Sequence, residues 1–136
     1  MSDWETLPLS RLAEVRVSNV DKKSKYGEKP AQLCNYMDVY SNEYIDVNLE
    51  FMQSTANSVE RKKFKVCSGD VIITKDSETP FDIGIPAVVN DDIHDLVCGY
   101  HLALIKPNKD KVEPVYLSKQ LASNAVAAVD PKGWTA

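Results

Sequence analysis

Short apolar runs rich in β-branched residues are the feature that most constrains how this chain can fold. In the stretch GDVIITKDSETP, residues 71–73 form such a run, and the turn-forming pair 69–70 precedes it. A run this short favours a buried strand over a helix. Six hydrogen-bonding side chains follow at residues 74–79, before Pro80. The sequence therefore predicts a buried strand that ends in a strongly polar loop.

Similar patterns predict further strands and a few helices. Besides 71–73, strands are predicted near residues 15–17, 31–40 (followed by a turn), 44–45, 81–91 and 96–105. Helices are predicted near residues 9–13, from a cap at Asn57 or Ser58, and over residues 113–129, ending at Pro131 and Gly133.

These elements predict an α+β fold. We expect a single domain with a bent, partly barrel-like and mainly antiparallel sheet, and with helices near both termini. Gly84 and Pro86 interrupt one predicted strand, which places it at a sheet edge or a bulge.

Composition narrows the class of protein. A chain of 136 residues with 43% hydrophobic and 26% charged residues is typical of one globular domain. No apolar run approaches the roughly 18 residues of a membrane span, and the start, MSDWETLPLS, contains no export signal. The three cysteines are widely spaced and form no CxxC pair, so neither a zinc site nor a disulfide framework is indicated. A reduced, cytoplasmic setting is predicted.

The charge distribution leaves two interpretations open. The net charge of −4 by itself argues against a nucleic-acid partner, because DNA affinity depends on neutralising phosphates. Basic residues nevertheless cluster, and acidic residues gather elsewhere. The two basic groups are Lys22, Lys23, Lys25 and Lys29, and Arg61, Lys62, Lys63 and Lys65, while the acidic group is Asp91, Asp92 and Asp95. The chain carries either a basic face on an acidic body or merely solvated loops.

Catalytic signatures are weak. Cys98 and His101 lie three residues apart, which places their side chains on opposite faces of a regular strand. The spacing of His94 and His101 fits no recognised metal-ligand pattern, and no nucleotide-binding or metalloprotease motif is present. We expect no catalytic residue, metal ligand or cofactor. A small metal-dependent nuclease using the acids of KDSE stays open as an alternative.

The loop TKDSET suggests another use. Lysine pairs with guanine, aspartate or glutamate with cytosine, and serine or threonine with any base in the DNA major groove. Residues 74–79 contain only these residue types. The chemistry fits base recognition as well as it fits an ordinary polar turn.

Several stretches taken together resemble a known family. They are the pattern W-x-x-x-L-x-x-L-A-E-V from Trp4, RVSNVDKKSKYGEKPAQLCNYMDVYSNEYI, FMQSTANSVERKKF, GDVIITKDSETPFDIGIPAVV and VCGYHLALIKP. In this order and spacing, over about residues 4–121, they resemble a target recognition domain of the DNA-specificity subunit of type I restriction-modification systems.

The resemblance implies a function without catalysis. A specificity subunit directs the modification (methyltransferase) and restriction subunits, and each of its two recognition domains reads half of a split double-stranded DNA site. Residues 1–136 would be one such domain, lacking the long spacer helix and the second recognition domain of a full specificity subunit. Docking to the modification subunits therefore stays open, as does the formation of a homodimer. The residues expected to contact DNA are Lys22, Lys23, Lys25, Tyr26, Lys75, Asp76, Ser77, Glu78, Tyr100 and His101. A DNA-mimic or decoy protein that inhibits such a complex is the alternative from another class.

Overall fold

The computed structural model describes residues 13–20, 24–74 and 85–127, with side chains as far as residue 122. It confirms the α+β class. The elements over these residues are β1 (Ala13–Val17), β2 (Lys29–Cys34), α1 (Tyr36–Tyr40), β3 (Tyr44–Ile45), β4 (Met52–Ala56), α2 (Ser58–Phe64), β5 (Val71–Thr74), β6 (Pro86–Val89), β7 (Leu96–Cys98), β8 (Leu102–Pro107) and α3 (Pro114–Ala127). Within the same ranges no helix is long and apolar enough to cross a membrane.

The strands are divided between two sheets instead of forming one bent sheet. The larger sheet has the order β1-β8-β5-β6-β3, and the smaller has the order β4-β2-β7. The pairings are mainly antiparallel, as predicted; the two parallel ones are β2 with β7 and β3 with β6. In the part of the chain that the structure describes, the sheets do not close into a barrel.

The centre of the larger sheet is buried on both faces. On one face, Ile72 and Leu104 join the core cluster that contains Leu33 and Leu96 of the smaller sheet. On the other face, neighbouring residues of β5 and β8 join the cluster that includes Leu117 and Leu121 of α3. Because both faces are covered, the sequence of β5 is a continuous apolar run and does not alternate between apolar and polar residues.

Gly99 marks the point where the chain passes from one sheet to the other. The sequence predicts a single strand over residues 96–105, but β7 belongs to the smaller sheet and β8 to the larger one. A Cβ atom at Gly99 would lie 2.6 Å from the Cys34 carbonyl oxygen. Only glycine therefore allows the two backbones to approach so closely at this crossing.

Three local predictions differ from the structure. Residues 36–40 form a helical turn where an extended strand was predicted, and Asp38 Oδ2 accepts a hydrogen bond of 2.8 Å from the Asn35 N–H at its start. The polar segment MQSTA forms β4, which the sequence did not predict. The strand containing Pro86 lies inside the larger sheet, between β5 and β3. Pro86 is tolerated because it begins β6, and β3 pairs only with Val88 and Val89.

The other local predictions on described residues are confirmed. β1, β3 and β5 occupy the predicted segments. Asn57 caps α2, since its side chain accepts a hydrogen bond of 2.8 Å from the Glu60 N–H. α3 covers most of the predicted C-terminal helix. The helix predicted near residues 9–13 and the stop at Pro131 and Gly133 lie outside the described residues, apart from Ala13 in β1.

Candidate nucleic-acid interface

Three segments predicted to contact DNA are rooted at one end of the larger sheet. In the strand register, Val17 at the end of β1 lies opposite Ala103, and Thr74 at the end of β5 lies opposite Leu102. The ends of β1 and β5 therefore flank the start of β8. Along the chain, β1 is followed by Lys22 and Lys23, and β5 is followed by residues 75–78. Tyr100 and His101 directly precede β8.

The residues on either side of the segment 75–84, Thr74 and Ile85, are hydrogen-bonded to each other. Thr74 is fully buried, its N–H donates to the Ile85 carbonyl at 3.0 Å, and its Oγ1 accepts from the Ile85 N–H at 3.1 Å. The chain on either side of residues 75–84 is thus tied together by two hydrogen bonds. The candidate residues of this loop, Lys75, Asp76, Ser77 and Glu78, lie outside the described residues.

Tyr100 and His101 form a partly exposed turn next to Leu102, which lies opposite Thr74. Tyr100 is half-exposed, and its N–H donates to the Val20 carbonyl at 3.1 Å. Its ring meets the His101 ring edge-on, with centroids 4.2 Å apart. His101 has a φ of +69°, which costs a non-glycine residue about 1–2 kcal/mol. Its Nδ1 atom is buried and has no hydrogen-bond partner among the described residues.

The lysine loop, which is the segment between β1 and β2 that carries Lys22, Lys23 and Lys25, is fixed by hydrogen bonds at both of its described ends. Before it, the Ser18 hydroxyl donates to the Cys98 carbonyl at 2.6 Å and accepts from the Val20 N–H at 3.2 Å. After it, the Lys25 N–H donates to Thr55 Oγ1 at 2.8 Å. Lys25 and Tyr26 are exposed, whereas Lys22 and Lys23 lie outside the described residues.

The second basic group has a partly structural role. Arg61 donates to the carbonyl oxygens of Ala56 and Pro30 and forms an ion pair of 3.2 Å with Asp95. This guanidinium therefore links α2 to β2 and to the turn before β7. Three exposed lysines of the group remain on the surface: Lys62, Lys63 and Lys65.

The acidic group also serves the fold. Asp91 accepts a hydrogen bond of 3.0 Å from the Val47 N–H, and Asp92 accepts one of 2.8 Å from the Ser68 N–H. Together with the Asp95–Arg61 pair, these bonds connect the turn over residues 91–95 to two neighbouring loops and to α2. No group of three or more histidine, cysteine or acidic side chains among the described residues is placed to hold a metal ion.

Two further residues border the candidate interface, and sequence reasoning missed both. Thr55 of β4 supports the turn that carries Lys25 and Tyr26. Asn35 lies against Gly99, with its Oδ1 atom 3.3 Å from the position of a Cβ there. Neither has a signal in the sequence, because β4 was not predicted and Asn35 is distant from Gly99 along the chain.

The comparisons with known proteins bear on the fold. No family model and no curated protein sequence matches this chain. Among solved structures, the chain is similar to the HsdS subunit from Thermoanaerobacter tengcongensis, with a TM-score of 0.53 and 14% sequence identity. The match covers 95% of this chain and 30% of the HsdS chain. The chain therefore shares its fold with part of an HsdS subunit.

Proposed function

We propose that this chain is a DNA-recognition domain that reads one half of a split site for a type I restriction-modification complex. The observation that carries the proposal is the common root of three candidate segments at one end of the larger sheet. A rigid sheet end that presents a basic loop, a polar loop and an aromatic turn can hold phosphate-contacting and base-contacting groups at fixed separations. The fold that the chain shares with part of an HsdS subunit supports this proposal.

The distribution of carboxylates favours recognition over mimicry of DNA. A mimic must present its acidic groups to a partner in place of phosphates. Here Asp38, Asp70, Asp91 and Asp92 accept hydrogen bonds from the chain's own backbone N–H groups. These four acids support local structure, and the negative net charge is thus a weaker objection to a DNA partner than the sequence alone suggests.

The proposed role is non-catalytic and depends on other subunits. Methylation and cleavage would be performed by the modification and restriction subunits. The chain would form a single recognition domain over residues 1–136, working in the cytoplasm as part of a larger specificity subunit or as a homodimer. Incubation with plasmid DNA and Mg²⁺, with or without S-adenosylmethionine, should give neither nicking nor methylation. Nicking that disappears in an Asp76→Ala variant would instead support the nuclease alternative.

The proposal is tested by selection from a pool of random duplexes. The chain alone should bind duplex DNA weakly, with a dissociation constant of about 10⁻⁴ to 10⁻⁶ M at moderate salt. Repeated selection at about 50 mM salt followed by sequencing should enrich one short motif. Binding without enrichment would contradict base recognition, and no binding at low salt would contradict the DNA partner itself.

A further inference from the structure

The turn over residues 25–28 presents an aromatic side chain in an unusual way. The Glu28 N–H donates to the Lys25 carbonyl at 3.3 Å, which closes a β-turn. Gly27, at its third position, has a φ of +87°, the conformation that makes glycine the preferred residue there. Tyr26 stands at the apex, and its side chain is fully exposed, with a relative exposure of 108%. A folded chain gains nothing internally from an aromatic ring held entirely in water.

A single hydroxyl group fastens both ends of this turn. Thr55 Oγ1 accepts from the Lys25 N–H at 2.8 Å and donates to Glu28 Oε1 at 2.9 Å. Thr55 is half-buried in β4, where it lies opposite Pro30 in the register with β2. The turn is therefore tied to a sheet at both of its ends by side-chain hydrogen bonds, in addition to its own backbone bond.

This arrangement fits a preformed contact to the DNA backbone. The turn follows directly after the segment that contains Lys22 and Lys23 and is succeeded by the exposed Lys29. Tyr26 lies between the exposed Lys25 and Lys29 along the chain, and a tyrosine can pack its ring on a deoxyribose and donate its hydroxyl to a phosphate oxygen. A turn that is already ordered loses little conformational entropy on binding.

We infer that Tyr26 is a backbone-contacting residue for DNA and that Thr55 is the positioning residue that holds it. The inference rests on the proposed function and assigns a separate role to each residue. Lys25 contributes a positive charge, and Tyr26 contributes contact area and a hydroxyl group. Thr55 holds the turn in position and does not contact the duplex.

The test is a double-mutant cycle on binding of the full chain to a short random-sequence duplex. Tyr26→Ala and Thr55→Val should each weaken binding by about five- to tenfold, a loss comparable with reordering part of a turn. Both variants keep all charges, so the slope of log affinity against log salt should not change. The combined variant should bind no worse than Tyr26→Ala alone, because Thr55 acts only through Tyr26.

Two further variants separate a positioning role from a general effect on folding. Thr55→Ser keeps the hydroxyl group and should bind like the wild-type chain. Gly27→Ala meets no atom within 4 Å but strains the turn at positive φ, so it should weaken binding as Thr55→Val does.

The outcomes distinguish this inference from the proposed function. Wild-type affinity in either single variant, or losses in Tyr26→Ala and Thr55→Val that multiply in the combined variant, would overturn the inference while leaving DNA recognition intact. A wild-type chain that binds no duplex would overturn both.

Discussion

At the scale of single residues, the closest constraint is the backbone crossing at Gly99. A Cβ there would meet the Cys34 carbonyl oxygen at 2.6 Å, and a backbone atom cannot move away as a flexible side chain can. Gly99→Ala should therefore lower the free energy of unfolding by about 1–3 kcal/mol or more, the usual range for overpacking. Urea denaturation is the measurement. Gly27→Ala is the matched control, since its Cβ enters open space and should cost only about 1 kcal/mol through its positive φ.

A second residue-scale prediction concerns pH and Asp70. This buried carboxylate accepts hydrogen bonds from Lys106 Nζ at 2.7 Å and from the Cys67 N–H at 2.8 Å. Burial nevertheless raises its pKa above the usual value of 3.8, against the opposing effect of Lys106. The native state thus binds the proton more tightly than the unfolded state, so this group's contribution to stability is greatest in acid and is lost as pH rises through the raised pKa.

The comparison variant for Asp70 is Asp70→Asn, which does not titrate. The free energy of unfolding of the wild-type chain, minus that of the variant, should increase as pH falls from about 7 to about 4. Glu14 provides a control of opposite sign, because its hydrogen bond to Arg16 lowers its pKa. The same difference measured for Glu14→Gln should decrease over this interval. A difference for Asp70→Asn that stays constant or falls would contradict the sign assigned to its pKa shift.

At the scale of elements, the sequence predicts what depends on local pattern and misses what depends on distant partners. The run at residues 71–73 is a strand because β-branched residues flanked by turn signals favour one, and Asn57 caps α2 with a short-range hydrogen bond. β4 is a polar segment, and it becomes a strand because β2 pairs with it. The division of residues 96–105 between two sheets depends on the distant Cys34 backbone, which no local pattern reveals.

The same distinction applies to the candidate site. The clustering of lysines and the polar loop after β5 could be recognised from residue types alone. That their roots are neighbours follows only from the β1-β8-β5 order, which places the end of β1 beside the start of β8. The acidic group at residues 91–95 shows what residue types alone leave out. Two of its carboxylates accept hydrogen bonds from the backbone of neighbouring loops, and only the fold shows these partners.

An element-scale prediction tests the lysine loop. Replacing Lys22, Lys23 and Lys25 by alanine should weaken binding to all duplex sequences alike and lower the salt slope by up to about 2–3, because each lost phosphate contact removes about 0.9. The control variant replaces three other exposed lysines by alanine and so removes the same charge. They are Lys109 and Lys111, which follow the far end of β8, and Lys119, which lies on α3. Fluorescence anisotropy between about 50 and 200 mM salt measures both. A changed base preference with an unchanged slope would show that these lysines read bases and do not contact phosphates.

At the scale of the whole molecule, the layers explain how a small chain can present polar loops on a rigid base. α3 and the smaller sheet cover opposite faces of the larger sheet, so β5 and β8 are held from both sides. The loops that leave this sheet can therefore vary in sequence without disturbing the core. A domain that must recognise a particular DNA sequence benefits from this separation between a fixed scaffold and variable loops.

The last prediction concerns Lys75 in an assembled specificity subunit. Thr74, the residue before Lys75, is hydrogen-bonded to Ile85 through both its N–H and its hydroxyl. A lysine ammonium can donate to the O6 and N7 atoms of guanine, whereas Asp76 or Glu78 can accept from a cytosine amino group. Lys75→Ala should then cost about 1–3 kcal/mol on the correct half-site and relax selection at one base position.

Lys119→Ala, on the exposed side of α3, removes the same charge and should leave selection unchanged. The measurement is half-site selection from randomised duplexes by both variant subunits in parallel. Because phosphate contacts carry no sequence information, a uniform loss of affinity across all sequences would assign Lys75 to the DNA backbone. Unaltered affinity together with unaltered selection would reduce TKDSET to an ordinary polar turn.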